Sequence, residues 1–216
     1  MTDDLRLREA IIQQCCQLQP LGLNQGSAGN ISARAGADML ITPSAIPYED
    51  MTPEMIARMP LNGVDGEWFG PCAPSSEWRF HRDIFRARPE VNAIVHTHSL
   101  HATTLSILRK NIPAIHYMIA LFGGADIRCT DYAMFGTQAL SDLAVEGLKN
   151  RNGVLLGNHG MIVVGATLTQ AMDRAVELET LARMYVLSLQ IGEPVILTET
   201  EMAEALERFK TYGKKP

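Results

Sequence analysis

The sequence predicts one domain of the α/β class, and three observations carry that prediction. Residues 91–98, Val-Asn-Ala-Ile-Val-His-Thr-His, form an apolar, β-branched run behind the turn signal Arg88-Pro89-Glu90, which suits a central strand. Apolar residues recur at helical spacing near both ends of the chain, over 3–19 and 169–190. Between them, Val154-Leu155-Leu156 runs into Gly157-Asn158-His159-Gly160 and out through Met161-Ile162-Val163-Val164, a strand, a sharp turn and a strand. At 216 residues the chain is long enough to bury roughly 70% of the surface it exposes when unfolded, so it needs no staples.

Composition narrows the function. The hydrophobic fraction of 46% and charged fraction of 20% are those of an ordinary globular protein. A net charge of −5 leaves no basic footprint for nucleic acid or an anionic membrane, so any phosphate site must be local. No apolar run has the length of a membrane span, and Met1-Thr2-Asp3-Asp4 is acidic where a signal peptide is basic; a cytoplasmic address is expected. Cys15, Cys16, Cys72 and Cys129 show no Cys-x-x-Cys spacing and are expected to be reduced.

The elements follow in order. An amphipathic helix over 3–19 has acidic residues at its start and ends at Leu21-Gly22. The turn Asn24-Gln25-Gly26-Ser27-Ala28-Gly29-Asn30 has small residues that let backbone N–H groups converge on an anion, and serves equally as a tight turn before the strand at 31–34. A second strand over 39–42 leads into the rigid polar loop Thr42-Pro43-Ser44-Ala45-Ile46-Pro47. Thr52 before Pro53 predicts a short helix over 53–59, and Asn62-Gly63 with Asp65-Gly66 a hairpin over 61–69. Pro74-Ser75-Ser76-Glu77 opens a helix, with serine at the cap and Glu77 in the first turn; this is either a phosphate-binding helix start or simply a good cap. Helices are expected at 100–110, 137–149 and 199–210, and a strand-like run over 112–122 carries His116 and Tyr117.

Chemistry concentrates at the strand end. Side chains at i and i+2 of a strand share a face, so His96 and His98 stand side by side. That pair suits half of a divalent metal site, or two strand-end histidines satisfied by carbonyls. His159, flanked by small residues where two buried strands meet, is a third candidate, and with Glu77 the set becomes three nitrogens and one oxygen, a plausible zinc site. His81, one turn after Glu77, reads as structural. Tyr117 reads equally as a core-edge tyrosine.

Gly29-Asn30-Ile31-Ser32, Thr42-Pro43-Ser44, Ser75-Ser76-Glu77, His96-Thr97-His98, Ile115-His116-Tyr117-Met118 and Asn158-His159-Gly160, in this order, resemble the class II aldolase and adducin superfamily. The similarity runs from about residue 5 to Tyr212 and is greatest to its fuculose-phosphate aldolase branch. It implies a three-layer α/β/α fold on a central, largely antiparallel mixed sheet, one domain over 1–216 with a flexible tail from about 211. It also implies a homotetramer with active sites between subunits. His96, His98, His159 and Glu77 are implied as ligands to zinc, with cobalt or manganese as alternatives. Ser27, Gly29, Asn30, Ser44, Ala45, Ser75 and Ser76 fall where the family holds substrate phosphate. Glu77 is the implied proton carrier, Tyr117 an implied acid–base group from the adjacent subunit, and Tyr212 matches a tyrosine on the C-terminal tail.

The implied reaction splits a ketose 1-phosphate, L-fuculose 1-phosphate or a 5-deoxy- or 5-methylthioribulose 1-phosphate, through an enediolate that the metal stabilises. The products are dihydroxyacetone phosphate and an aldehyde. A Schiff-base route is disfavoured, because Lys110, Lys149, Lys210, Lys214 and Lys215 all sit at expected helix ends or in the tail. Rivals within the superfamily are a pentulose-phosphate 4-epimerase, which typically has aspartate in place of Glu77, and a methylthioribulose-phosphate dehydratase. The non-enzymatic rival is an interaction module like the adducin head, which lacks the metal set. Ser44-Ala45 stands where the nearest relatives have threonine and glycine, so a positive φ at Ala45 would strain the loop by roughly 1–2 kcal/mol. Gly157-Asn158 is a second departure, beside the expected metal.

Overall fold

The computed structural model describes residues 3–211. Its strands are β1 (Asn30–Ala35), β2 (Asp38–Ile41), β3 (Ala57–Pro60), β4 (Ala93–Thr97), β5 (Arg128–Cys129), β6 (Gly153–Leu156) and β7 (Gly160–Gly165). Its α-helices are α1 (Asp3–Leu18), α2 (Trp78–Ala87), α3 (Leu100–Ile107), α4 (Gln138–Gly147), α5 (Leu168–Ile191) and α6 (Glu199–Thr211). The strands form one sheet in the order β3-β2-β1-β4-β7-β6-β5. All neighbours are antiparallel except β5, which runs parallel to β6.

Strand alternation divides the core into two layers. Ile31, Ala33, Leu40, Ala93, Val95, Leu155, Met161 and Val163 face the side covered by α1, α3 and α5. Met39, Ile41, Ile94, Val154, Leu156, Ile162 and Val164 face the side covered by α2 and α4. This is the expected three-layer α/β/α arrangement. Every residue of β4 is buried, so the strand has water on neither face. Each fully buried valine or isoleucine there contributes roughly 1.5–3 kcal/mol of transfer free energy, which fixes β4 in the middle of the sheet and holds what projects from its end. Among the described residues no helix is long and apolar enough to cross a membrane. The four cysteines are free thiols.

Several local expectations are corrected. Only Pro53–Met55 turns as a 3₁₀ helix; Ala57–Pro60 pairs with β2 as an edge strand, burying Ala57 and Met59. Thr52-Pro53 is a helix start, but β2 captures the chain one turn later. The expected hairpin at 61–69 is a loop of turns, closed where Arg58 and Phe69 exchange backbone hydrogen bonds of 2.9 and 2.8 Å. The run at 112–122 is not a strand: Ile112 makes a single bridge to Ile127, and Tyr117–Phe122 is a 3₁₀ helix ending at Gly123 with φ 85°. Helix α2 begins at Trp78, so Glu77 is its N-cap rather than a first-turn residue. The two-residue strand β5 carries no sequence signal.

Candidate metal centre and active site

Three separate stretches of chain deliver one cluster. His96 stands in the last part of β4 on the α2 side of the sheet, and its ring meets Phe80 of α2 edge-on at 5.4 Å. His98 lies just past the strand end. His159 lies in the turn between β6 and β7, where its N–H donates to the carbonyl of Leu156 at 3.0 Å and Asn158 takes φ 54°. Asparagine tolerates that left-handed conformation better than most residues, and it aims the next side chain back over the sheet end. Glu77 arrives from the opposite direction, at the N-cap of α2 with φ −98° and ψ 13°. A carboxylate at a helix N-terminus is also favoured by the helix dipole.

The side-chain atoms converge. One ligand atom from each of Glu77, His96, His98 and His159 lies within 4.8 Å of all the others. The three ring centroids are each 4.9 Å apart, with interplanar angles of 77°, 76° and 71°, so the rings surround a common point like blades. His96 Nε2 is 3.1 Å from His98 Nε2 and 3.1 Å from Glu77 Oε2, and His159 Nε2 is 3.1 Å from Glu77 Oε1. His96 Nδ1 is 2.9 Å from the carbonyl of Met161, an acceptor only. Its proton is therefore on Nδ1, and the lone pair of Nε2 faces the cluster.

Electrostatics suit a cation at that point. Burial, then the neighbouring His96 and His159 rings, push the His98 imidazole down to about 4, so it is neutral at physiological pH. Burial alone would raise the Glu77 carboxyl; His96 and His159, which face it, outweigh that and hold it well below the usual carboxylate range. Glu77 Oε1 is buried and has no hydrogen-bond partner. A buried carboxylate oxygen left unsatisfied is costly unless a cation completes it.

Backbone proximity is built into the glycines. A Cβ on Gly160 would lie 2.4 Å from the carbonyl oxygen of Thr97 and 2.8 Å from Cδ2 of His98. A Cβ on Gly29 would lie 2.6 Å from the carbonyl oxygen of His96. Both positions let a neighbouring strand or loop close against the ligand-bearing end of β4.

The expected phosphate residues form two groups. Ser44 and Ala45 lie against Ser75 and Ser76: the Ser44 hydroxyl donates to the carbonyl of Pro74 at 3.1 Å and accepts from the Ser76 N–H at 3.0 Å. The Ser75 hydroxyl accepts from the Glu77 N–H at 3.3 Å. Ala45 has φ 57°, the strained alternative raised by the sequence. On the second group, Ser27 is exposed and Gly29 is buried against β4. The carboxamide of Asn30 is turned away from any phosphate: Nδ2 donates to Glu77 Oε2 at 2.9 Å and Oδ1 is 2.5 Å from His81 Nε2. The carboxamide is thus engaged within the protein, and a contact from Asn30 to phosphate falls to its backbone.

Ala28, Ser76, Glu77, His98 and His159 line one cavity of about 320 Å³, whose remaining wall is Tyr132, Ala133, Phe135 and Asn158. The sequence reading passed over Tyr132 and Phe135; two aromatics close together ahead of the helix expected at 137–149 were the available signal. Tyr117 is 54% exposed, stacked near Phe209 at 6.3 Å, and does not line this cavity. Tyr212 lies outside the described residues. His101 turns from the cluster to Glu179, with its Nδ1 2.7 Å from the carboxylate. Three supports went unrecognised. Asn24 accepts from the His98 N–H at 3.4 Å, Tyr48 donates to the carbonyl of Gly29 at 2.9 Å, and His81 holds Asn30.

The family described as Class II Aldolase and Adducin N-terminal domain matches residues 9–186. The chain belongs to this family. Among its relatives, the 5-methylthioribulose-1-phosphate/5-deoxyribulose-1-phosphate aldolase of Rhodospirillum rubrum is 50% identical over 209 residues, 97% of this chain and 93% of that protein. The L-fuculose phosphate aldolase of Escherichia coli K12 is 48% identical over 96% of each chain. A solved L-fuculose 1-phosphate aldolase structure superposes with a TM-score of 0.91 at 35% identity, over 97% of this chain and 98% of the other.

Class II aldolases are metal-dependent, and the residues here fit a divalent ion. Tetrahedral ligands at about 2.0–2.1 Å from a metal stand about 3.3 Å from one another. The observed separations of 3.1 Å, the fixed His96 tautomer and the unpartnered Glu77 Oε1 agree with that geometry.

Proposed function

We propose that this class II aldehyde-lyase cleaves a ketose 1-phosphate between C3 and C4 to dihydroxyacetone phosphate and a short aldehyde. The proposed substrate is L-fuculose 1-phosphate or a 5-deoxy- or 5-methylthioribulose 1-phosphate. The observation that carries the reading is the convergence of Glu77, His96, His98 and His159 beside a cavity large enough for a phosphorylated sugar. We propose zinc as the ion held by these four; when bound, it supplies a Lewis acid that draws electron density from the substrate carbonyl.

The chain's own groups have the remaining tasks. The C3–C4 bonding pair passes into an enediolate as the C4 hydroxyl loses its proton and its carbon becomes the aldehyde. Glu77, ionised in the free site, first takes up a proton from solvent as substrate binds and then delivers it to C3. Tyr117, in the site of a neighbouring subunit, accepts the C4 hydroxyl proton as it passes its own phenolic proton to solvent, a role supported by its exposure and its absence from its own chain's cavity. Tyr212 is proposed as a further catalytic tyrosine. Backbone N–H groups around Gly29, Asn30 and Ala45, with Ser27, Ser44, Ser75 and Ser76, hold the phosphate. The apolar wall of Tyr132, Ala133 and Phe135 receives the short, uncharged aldehyde end. We propose, from the family resemblance, a cytoplasmic homotetramer.

The test is dihydroxyacetone phosphate formation from L-fuculose, L-rhamnulose, 5-deoxyribulose and 5-methylthioribulose 1-phosphates, each with and without a chelator. Chelator-sensitive product from one of them is expected. No product from any, with metal bound, overturns the aldolase reading in favour of the epimerase or dehydratase.

A further inference from the structure

We infer that His81 is a positioning residue for Glu77, acting through the side chain of Asn30. The inference rests on the reading that Glu77 carries the proton to C3.

His81 is fully buried in α2, one turn beyond Glu77, with its ring stacked on Phe80 at 4.6 Å and 28°. It does not touch the metal cluster's convergence point. Its Nε2 is 2.5 Å from Asn30 Oδ1, and its Nδ1 is 2.7 Å from Ser32 Oγ. Asn30 Nδ2 in turn donates to Glu77 Oε2 at 2.9 Å. All four residues are buried, with exposures of 4% for Asn30, 0% for Ser32 and His81, and 6% for Glu77.

Every proton in this chain is determined by its ends. An ionised Glu77 only accepts, so the NH₂ of Asn30 faces it and the carbonyl of Asn30 faces His81. His81 Nε2 must then carry the ring proton, leaving Nδ1 as acceptor for the Ser32 hydroxyl. The order of donation is Ser32 to His81, His81 to Asn30, Asn30 to Glu77. Reversing any one member leaves two acceptors or two donors facing each other in a site without water access, at a cost of about 1–3 kcal/mol.

The consequence falls on one oxygen. Glu77 Oε2 is tethered to Asn30, whereas Oε1 has no hydrogen-bond partner. His81 thereby fixes the carboxylate rotamer through Oε2, and with it the direction in which Oε1 faces the cluster. A histidine at an i, i+4 spacing from Glu77 suggests a direct pair; instead the contact runs through β1.

Two substitutions separate this role from simple space filling. Glutamine places an amide near the position of Nε2 and keeps the donor to Asn30; asparagine places one near Nδ1 and keeps only the partner of Ser32. For the metal-loaded protein, His81→Asn and His81→Phe are expected to lower kcat by about 10- to 100-fold, as loss of an outer hydrogen-bond partner does at metal sites. KM and bound metal should be little changed. His81→Gln should recover most of kcat. Solvent-deuterium exchange at C3 of dihydroxyacetone phosphate should fall and recover in step with kcat. The inference is overturned if Asn and Gln behave alike, or if exchange in His81→Phe stays at the wild-type rate while Glu77→Gln abolishes it. Retained exchange in Glu77→Gln would instead remove the reading of Glu77 on which the inference rests. If His81→Phe does not fold, the Asn and Gln comparison alone decides.

Discussion

Replacing Ala45 by glycine should stabilise the protein, against the usual effect of introducing glycine. Ala45 has φ 57°, where an L-residue costs roughly 1–2 kcal/mol because its Cβ crowds the following carbonyl. The conformation is imposed by its neighbours. Ser44 is tied through its N–H to the carbonyl of Ala73 at 3.2 Å and through its hydroxyl to Pro74 and Ser76, and Ile46 packs against the core beyond it. Glycine relieves the crowding but loses about 0.5–1 kcal/mol more conformational entropy on folding. Because Ala45 is exposed, no packing is lost. The net expectation is a gain of about 0.5–1 kcal/mol per chain, or a Tm rise of roughly 1–4 °C for a chain of this length.

The assay is denaturant unfolding of Ala45→Gly beside wild type at equal subunit concentration and equal metal loading, since both shift apparent stability. KM for the ketose phosphate and inhibition by inorganic phosphate should stay within about twofold, because the loop keeps its path. Ala45→Val supplies the opposite sign, a loss of at least about 1 kcal/mol, since a β-branched side chain tolerates positive φ worse than alanine. A destabilised Ala45→Gly together with a neutral Ala45→Val would refute the reasoning, because the left-handed backbone would then store no strain.

Other expectations follow from the same geometry. Gly160→Ala puts a methyl group into the carbonyl of Thr97 and against His98, so metal affinity should drop about 10- to 100-fold by titration with a competing chelator. Stripping the ion should lower Tm and restoring it should recover Tm together with activity; unchanged Tm on removal would argue against the four-residue site. Glu179 accepts from the N–H groups of His101 and Ala102 at 2.9 Å each at the start of α3, so Glu179→Ala should cost about 1–2 kcal/mol by chemical denaturation. Burial, the largest cause, with the nearby His96 ring, pushes His81 down to about 3 from an ordinary value of 6.5. The unfolded chain therefore binds a proton below pH 6.5 that the folded chain refuses. Stability from this group is fully present above pH 6.5 and is lost as pH falls towards 3, at up to about 1.4 kcal/mol per pH unit. In metal-free protein, His81→Phe should flatten that part of the stability profile relative to wild type.

What the sequence revealed of the fold depended on whether a segment's neighbours agreed with its own pattern. The helix expected over 169–190 is observed as Leu168–Ile191, and the strand, turn and strand expected over 154–165 as Gly153–Leu156 and Gly160–Gly165. In those stretches periodicity, caps and burial point the same way. Residues 53–60 are the contrary case. Thr52-Pro53 signals a helix and does start a 3₁₀ turn, but pairing of Ala57–Pro60 with β2 buries Met59 at the sheet edge and outweighs the local preference. The two residues of β5 could not be read at all, since a strand that short is specified only by its partner β6.

The site divides along a similar line. Groups that act by pointing at one place were legible, because a histidine at the end of an apolar strand or in a tight turn has little else to do there. Groups that act by holding others were not. Asn24, Tyr48 and His81 reach partners 19 to 74 residues away in the chain, and nothing in the local pattern distinguishes them from ordinary buried polar residues. Asn30 shows why locating a motif does not tell what its side chain does. Its position in β1, opposite His96, brings its carboxamide between Glu77 and His81, so the side chain orients the carboxylate two residues along the chain from Ala28 in the cavity wall. One residue thus joins the phosphate-loop backbone to the proton carrier, and movement of the loop at 24–30 would be felt at Glu77.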